Sequence, residues 1–173
     1  MLAFSRVNQP PKVLSSFSKL RILSVGDLIL DRYWWGEANR LSPEAPVPVL
    51  LKKRVSSLPG GAANTAANVA ALGATVSVLG VVGGDDEGVE LLNLLDRNSI
   101  GTSFVHTLSG RPTTTKTRLI SGHQHLLRVD SEDVAAVSED AIPGLIESFR
   151  SGLAQNDAVL ISDYAKGLLA PPF

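Results

Sequence analysis

The chain has 173 residues, 44% of them hydrophobic and 19% charged, which allows one globular domain with a sizeable core. Its net charge of −1 offers no general attraction for nucleic acid, and no apolar run reaches the roughly 18 residues of a membrane span. The absence of cysteine excludes disulfides and thiolate metal sites and is compatible with a cytoplasmic location.

The first predicted elements are a leader and a strand. Residues 1–20 are polar, contain a proline pair and lack the apolar core of a signal peptide, so we expect a flexible leader with a short helix over Val13–Lys19. Residues 21–173 form the predicted domain. Arg21–Gly26 reads as a buried strand that ends in a turn at Gly26-Asp27.

A more exposed strand is predicted over Val47–Val55, followed by an apolar helix over Ala62–Leu72. Thr75–Val82 is rich in β-branched residues and predicts the next buried strand. The adjacent carboxylates of Asp85 and Asp86 fit the cap of a helix that runs to Arg97 better than a metal site. Several basic residues lie in polar contexts and are expected to be solvated: Arg32, Arg40, Lys52, Lys53 and Arg54.

Alternating strands and helices predict a parallel sheet with right-handed crossovers. The middle of the chain departs from this order, because three short strands follow one another there and indicate an antiparallel excursion with a turn at Gly122. These strands are predicted at Phe104–Thr107, Thr113–Ser121 and Gln124–Asp130. A helical pattern over Ser138–Gly152 and a buried strand over Ala158–Ser162 complete the order.

The most informative segment runs from Leu58 to Gly73. It places Gly60 and Gly61 at the entrance of a helix otherwise built from small apolar residues, and it places the amide of Asn64 in the first turn. Glycines at a helix entrance allow close approach to backbone N–H groups, and an amide both donates and accepts hydrogen bonds, which suits a sugar hydroxyl. A capped core helix after a Gly-Gly turn is the alternative reading.

The spacing of these residues resembles the N-terminal signature of the ribokinase-like (PfkB) sugar kinases. Further blocks are similar to the bacterial heptose-7-phosphate kinases within that family, and the resemblance covers about Arg21 to Leu169. The blocks are Gly26–Gly36, Leu41–Val49, Thr113–Arg118, Gln124–Asp130 and Ser162–Gly167. The resemblance implies a three-layer α/β/α sheet of the ribokinase-like fold with a small antiparallel β lid, incomplete in this chain.

The resemblance also implies a substrate site. Asp31 matches an aspartate that binds sugar hydroxyls, and Gly60, Gly61 and Asn64 match positions that line the sugar pocket. The family builds its lid from the segment that carries Lys116, Arg118 and Arg128. Strand alternation places Lys116 and Arg118 on one face, where they could hold a phosphate together or form a solvent-facing basic edge.

Two more candidates, Asp163 and Lys166, follow the last predicted strand at its carboxyl end, where ligands of parallel sheets collect. No metal site is predicted, since the three histidines lack the spacing of a helical zinc pair.

The implied reaction is phosphorylation of D-glycero-D-manno-heptose 7-phosphate at its anomeric hydroxyl by ATP with Mg²⁺, in the cytoplasm, on the route to ADP-heptose and lipopolysaccharide. In the family a Gly-Ala-Gly-Asp segment supplies the base and the anion hole, and these 173 residues lack it. We therefore expect the N-terminal part of a kinase domain, inactive alone, with no catalytic residue in this chain and with the ATP and Mg²⁺ sites mostly in the missing half.

The expected partner is a small-molecule sugar phosphate, with no nucleic acid and no membrane. The family's lid strands often pair between subunits, which implies a homodimer. Two alternatives stay open at this point: a non-catalytic module that binds a sugar phosphate, and a ribokinase-like kinase for another sugar.

Overall fold

The computed structural model describes residues 16–170. The short helix predicted over Val13–Lys19 falls partly outside that range, and within it a 3₁₀ turn spans Phe17–Lys19. The strands are β1 (Arg21–Gly26), β2 (Leu28–Leu41), β3 (Pro48–Gly61), β4 (Thr75–Gly83), β5 (Ile100–Leu108), β6 (Thr115–Ser121), β7 (Gln124–Ser131) and β8 (Ala158–Ser162). The α-helices are α1 (Ala62–Ala71), α2 (Asp86–Arg97) and α3 (Ile142–Gln155), the last preceded by a 3₁₀ turn over Glu139–Ala141.

The main sheet is parallel and has the strand order β5-β4-β1-β8. Helices α1 and α2 cover one face and α3 covers the other, so the predicted three layers are present. No helix within residues 16–170 is long and apolar enough to cross a membrane.

Alternation along β1 divides the core between the two faces. Ile22 packs with the alanines of α1 and with Leu91 of α2, whereas Leu23 and Val25 pack with Leu145 of α3. Gly152 permits that second contact, because a Cβ atom there would lie 2.7 Å from Leu23 Cδ2. Burial on both faces explains why β1 is mostly apolar, as central parallel strands are. Its buried Ser24 is accommodated because its hydroxyl donates to Ala62 O.

The second sheet, which we call the lid sheet, has the order β3-β2-β6-β7. It is mixed, because β2 pairs antiparallel with β3 but parallel with β6. The predicted antiparallel lid therefore needs correction. The sequence does not predict its central strand, β2: Gly26-Asp27 reads locally as a turn, yet the chain continues from β1 into a second strand of 14 residues.

Three other predictions change in the structure. The strand around Phe104–Thr107 pairs parallel with β4 and belongs to the main sheet, not to the excursion. The strand predicted over Val47–Val55 extends to Gly61, so Gly60 and Gly61 end a strand and lie directly before α1. Strand β8 has its predicted bounds but is not buried, because it lies at the edge of the main sheet. The turn at Gly122 between β6 and β7 is confirmed, with a φ of 58°.

Arg32 ties the lid sheet to the main domain and is not solvated as predicted. Its guanidinium donates to Glu87 at 3.0 Å and also to Glu90, both on α2. Only 17% of the Arg32 side chain is exposed. Ion pairs of a partly shielded guanidinium keep more of their strength than surface pairs, so Arg32 restrains the angle between the lid strand and α2.

Asp85 caps α2 as its sequence position predicts, and it also binds the segment that leads into β6. Its Oδ1 accepts from Gly88 N at 2.8 Å, while its Oδ2 accepts from Thr113 N at 2.8 Å. The Thr113 hydroxyl donates to Oδ1 at 2.6 Å and accepts from Gly83 N. Burial alone would raise the pKa of Asp85, but these hydrogen bonds to the carboxylate outweigh it and lower the pKa below 3.8.

We expect Asp85→Asn to reduce stability by about 1 kcal/mol at neutral pH, because the charged acceptor is lost. The lowered pKa means that this contribution is complete above pH 3.8, the ordinary value, and disappears as the pH falls through the native pKa. Urea midpoints from pH 7 to 2 measure the difference. Asp96→Asn, near the end of the same helix, is the control. A wild-type advantage that does not shrink at low pH would contradict this account.

Candidate functional site

The site begins at Asp27, where the chain leaves the main sheet for the lid sheet. Asp27 is 3% exposed, and its Oδ2 accepts from Tyr164 N at 2.8 Å and from Lys166 N at 3.1 Å. Its carbonyl accepts from Ala62 N at 2.9 Å, at the start of α1. Gly61 allows this approach, since a Cβ there would lie 2.3 Å from Asp27 O. One residue therefore positions the start of β2, the start of α1 and the loop after β8.

Asp31 lies within β2, near the start of the lid sheet. Its register partners are Leu58 on β3 and Lys116 on β6. Gly60 makes room for its carboxylate, because a Cβ at that position would lie 2.4 Å from Asp31 Oδ2. The two glycines thus accommodate Asp31 and Asp27, a role the sequence alone did not reveal.

A cleft of about 380 Å³ lies beside this carboxylate. It is lined by Asp31, Tyr33, Leu58, Pro59, Asn64, Ala67, Leu94 and Asn98. A carboxylate and two amides along an apolar wall can orient a polyhydroxylated molecule, since they offer both acceptors and donors. The structure therefore brings Asp31 and Asn64 together, as the sequence predicts.

Charged side chains continue from this cleft across the lid sheet. Two rows of register partners cross the same face: Asp31, Lys116 and Asp130 in the first, and Tyr33, Arg118 and Arg128 in the second. Thr115 and Thr117 on β6 are buried, which leaves the intervening Lys116 and Arg118 on the common face that alternation predicts.

These cations are matched by acids along the face. Arg118 donates to Asp31 at 2.5 Å and stacks over Tyr33, with Cζ 5.2 Å from the ring centre. Arg128 forms two hydrogen bonds to Asp130, and Lys116 Nζ lies 3.0 Å from the same carboxylate. The hydrogen bond from Arg128 is the largest influence on the pKa of Asp130 and lowers it; burial opposes this, and Lys116 lowers the pKa further. Lys116 and Arg118 thus share a face but bind different carboxylates.

The loop after β8 carries the last two candidates, and it brings only one of them toward the lid. Lys166 Nζ donates to Glu132 at 2.9 Å, and Glu132 also accepts from Lys116 at 3.2 Å. Asp163 instead closes a local turn, because its Oδ1 accepts from Ala165 N at 2.8 Å. Asp163 does not line the cleft beside Asp31.

Arg111 fixes this loop through hydrogen bonds to backbone carbonyl oxygens. Its guanidinium donates to the carbonyl oxygens of Lys166, Asp133 and Ala135, at 2.5, 2.6 and 2.9 Å. Gly167 fits against the same segment with a φ of 88°, and a Cβ atom there would lie 1.9 Å from Ala135 O. Sequence reasoning missed Arg111 and Glu132, because their partners lie 22 to 55 and 16 to 34 positions away.

Within residues 16–170, no group of three histidine, aspartate or glutamate side chains is arranged to hold a metal ion. The candidate site consists of the cleft beside Asp31, a face of paired charges and the loop after β8 that Arg111 holds.

The chain matches known proteins along almost its whole length. The profile described as pfkB family carbohydrate kinase matches residues 19–172. A protein of Coxiella burnetii named Bifunctional protein HldE is 49% identical over 156 residues, which cover 90% of this chain and 32% of that protein. The protein of the same name from Wolinella succinogenes is 46% identical and is covered to 34%. This chain thus spans about a third of the length of these curated relatives.

Solved structures show the same fold. A carbohydrate kinase from Agrobacterium tumefaciens superposes with a TM-score of 0.65 at 20% identity, over 82% of this chain and 45% of that chain. Arabidopsis thaliana ribokinase, solved with ribose and ATP, gives a TM-score of 0.58 at 19% identity, over 82% and 45%. The ribokinase-like fold expected from the sequence is confirmed.

We expect Gly167→Ala to destabilise the chain by more than about 2 kcal/mol, because both the positive φ and the close Ala135 carbonyl oppose a side chain. Gly110→Ala is a matched control, since Gly110 has a φ of 81° but a Cβ atom added there would have nothing within 4 Å. The control should lose only about 1 kcal/mol. Urea unfolding of both variants measures the difference in stability. Equal losses of stability would contradict the close packing of Gly167 against the Ala135 carbonyl.

Proposed function

The chain belongs to the pfkB family of carbohydrate kinases, and on that basis we propose that it forms the sugar-binding part of a kinase for D-glycero-D-manno-heptose 7-phosphate. The observation that carries the proposal is the cleft in which Asp31 and Asn64 converge beside a face of cations. The sequence blocks similar to heptose-7-phosphate kinases, and relatives named HldE at 46 to 49% identity, support this sugar over others.

We assign the sugar hydroxyls to Asp31, Asn64 and the backbone at Gly60 and Gly61. A carboxylate can accept hydrogen bonds from two hydroxyls at once, and such charge-assisted bonds are the stronger ones. Arg118 would orient the Asp31 carboxylate through their ion pair. A sugar fixed in this way presents one hydroxyl in a constant direction, which is the positioning that phosphoryl transfer requires.

We assign the substrate's phosphate to the cationic face, which contains Lys116, Arg118, Arg128 and Lys166. Three of these side chains are well shielded, with 16 to 21% of their surface exposed, whereas Arg128 is 56% exposed. Shielded cations bind an anion more strongly than exposed ones, so Arg128 contributes least. The assignment of Asp163 to the substrate site has the weakest support, since its carboxylate closes a local turn.

The transfer itself would form a bond between the anomeric oxygen and the γ-phosphorus of ATP and release ADP. ATP supplies the phosphoryl group and Mg²⁺ neutralises charge on its phosphates. The resemblance places the proton-accepting base in a Gly-Ala-Gly-Asp segment that these 173 residues lack. We therefore propose that the base and the ATP and Mg²⁺ contacts belong to sequence outside this chain, and that the chain alone does not catalyse transfer.

The exposed edge of the main sheet supports this division. Strand β8 lies at the edge, and its Leu160 and Ile161 are 36% and 69% exposed. Apolar side chains on an open edge strand are a liability unless another element covers them. We propose that residues 21–173 are the N-terminal part of a longer kinase domain, preceded by a leader over residues 1–20 that lies mostly outside the described residues.

We further propose a homodimer formed through the lid sheet, and a cytoplasmic location where ATP is available. Strand β7 is a lid edge, and its Leu127 and Val129 are 58% and 50% exposed. The lid sheet of a second copy of the chain could cover both side chains. Sedimentation at about twice the 18.3 kDa chain mass would support this pairing, and a monomer would contradict it.

We expect Asp31→Asn to weaken binding of heptose 7-phosphate roughly 100-fold, because two charge-assisted hydrogen bonds lose their ionised acceptor. Calorimetric titration of the chain measures the dissociation constant. Asp140→Asn, at an exposed position, is the control. Since Asp31 is partly exposed, the melting temperature should change by only a few degrees. Unchanged binding by Asp31→Asn would overturn the assignment.

Measurement of ADP release by the full-length gene product distinguishes the kinase hypothesis from its alternatives. Release that depends on heptose 7-phosphate supports a kinase for that sugar. Binding without ADP release would instead indicate a non-catalytic module. Faster release with another sugar would indicate a ribokinase-like kinase of different specificity.

A further inference from the structure

Two lysines from distant parts of the chain converge on the carboxylate of Glu132, just after β7. Lys166 Nζ lies 2.9 Å from Oε1, and Lys116 Nζ lies 3.2 Å from Oε2. The side chains of Lys166, Lys116 and Glu132 are 17%, 16% and 23% exposed, so the cluster is shielded but reachable from solvent. Each carboxylate oxygen takes one ammonium group, an arrangement that two oxygens of a phosphate can also adopt.

The position of this cluster relates it to the cleft. Lys116 is the register partner of Asp31, the proposed hydroxyl-binding carboxylate. The backbone of Lys166 is held by Asp27, which accepts a hydrogen bond from its N–H, and by Arg111, which donates to its carbonyl. The two lysines are therefore fixed by separate elements, and one of them, Lys116, is paired in the sheet with Asp31, which lines the cleft.

Both lysines keep their place without depending on Glu132 alone. Lys116 also bonds to Asp130 at 3.0 Å, and the backbone of Lys166 is anchored as described. Glu132 itself begins an irregular segment between β7 and the next 3₁₀ turn. Rotation of its side chain toward solvent would free one oxyanion position and leave the lysines in place.

We propose that Lys116 and Lys166 form the subsite for the phosphate of the sugar substrate, and that Glu132 occupies this subsite until the phosphate displaces it. This inference rests on the proposed function and deepens it. Glu132 is then a specificity-determining residue, because a ligand must compete with an internal anion to enter.

Charge decides which ligands can succeed. A phosphate monoester carries up to two negative charges and three strong acceptor oxygens, whereas the displaced carboxylate carries one charge and two oxygens. A neutral sugar offers the lysines no compensation for losing Glu132. Lys166 and then Lys116 lower the pKa of Glu132, with burial opposing them, so the internal competitor stays charged at neutral pH. The arrangement therefore selects phosphorylated over unphosphorylated sugars.

The test compares Glu132→Gln with wild type in calorimetric titrations with inorganic phosphate, heptose 7-phosphate and unphosphorylated heptose. The amide keeps the size of Glu132 but not its charge, so we expect both phosphate ligands to bind about tenfold more tightly and the heptose to bind unchanged. Glu147→Gln, an exposed position on α3, is the control for loss of one negative charge. Circular dichroism verifies folding, and Glu132→Asp provides a second, charge-retaining variant with a shorter reach.

A second substitution, Lys166→Met, tests whether the gain in phosphate affinity depends on the lysine pair. In a Lys166→Met background the gain from Glu132→Gln should fall to twofold or less, because the subsite has lost one of its two cations. Unchanged phosphate affinity in Glu132→Gln would overturn the inference. So would an equal gain in Glu147→Gln, or a full gain without Lys166, since either result would reflect overall charge.

The same titrations separate this inference from the proposed function. Tighter binding of inorganic phosphate by Glu132→Gln, without binding of heptose 7-phosphate by any variant, would support the subsite and contradict the sugar assignment. Normal binding of heptose 7-phosphate that Glu132→Gln does not change would support the sugar assignment and overturn the subsite.

Discussion

The rest of the structure depends on the hydrogen bonds made by Asp27. Its carboxylate binds two backbone N–H groups of the loop after β8, and its carbonyl binds the first N–H of α1. Because Asp27 is buried, leaving any of these groups without a partner would cost free energy, and the three segments are therefore held at one point. The lid sheet starts at this point, so the angle at which β2 leaves the main sheet and the position of Lys166 are set together.

Paired charges dominate the face that extends from this point. Asp31 pairs with Arg118, and Glu132 lies between Lys116 and Lys166, so these three shielded cations have partners. Asp130 pairs with the more exposed Arg128. A partly shielded cation is stabilised by such pairing, and it stays available if the partner can rotate away. In our proposal, a binding face for a phosphorylated sugar can thus exist in a charge-paired, stable form before its ligand arrives.

The family relation and the geometry describe different parts of the function. Membership of the pfkB family accounts for the fold, while in our proposal the cleft and the charged face serve recognition of the sugar. The chain spans about a third of its curated relatives, so recognition and phosphoryl transfer are divided along the sequence in our proposal. Such a division suits kinases of this kind, because the acceptor must be held before transfer and apart from water.

The sequence by itself determined the elements whose signals are local. These elements follow from neighbouring residues, and the structure has them close to where the sequence predicts them. They are the cap at Asp85, the helix after Gly61, the turn at Gly122 and strands β1, β4 and β8. Asp31 and Asn64 are proposed as site residues through the family resemblance of two separate blocks, each of which is a continuous stretch of chain.

Only the tertiary structure decided the strand β2, the mixed pairing of the lid sheet and the partner of each charged side chain. Strand β2 follows what reads as a turn, and it is stabilised by strands that lie up to about 90 positions further along the chain. The partners of Lys116 and Arg118 depend on the register between β2, β6 and β7, where a shift of one residue would move every side chain to the other face. Register is a property of the assembled sheet, so no local pattern could have revealed that Glu132 lies between two lysines.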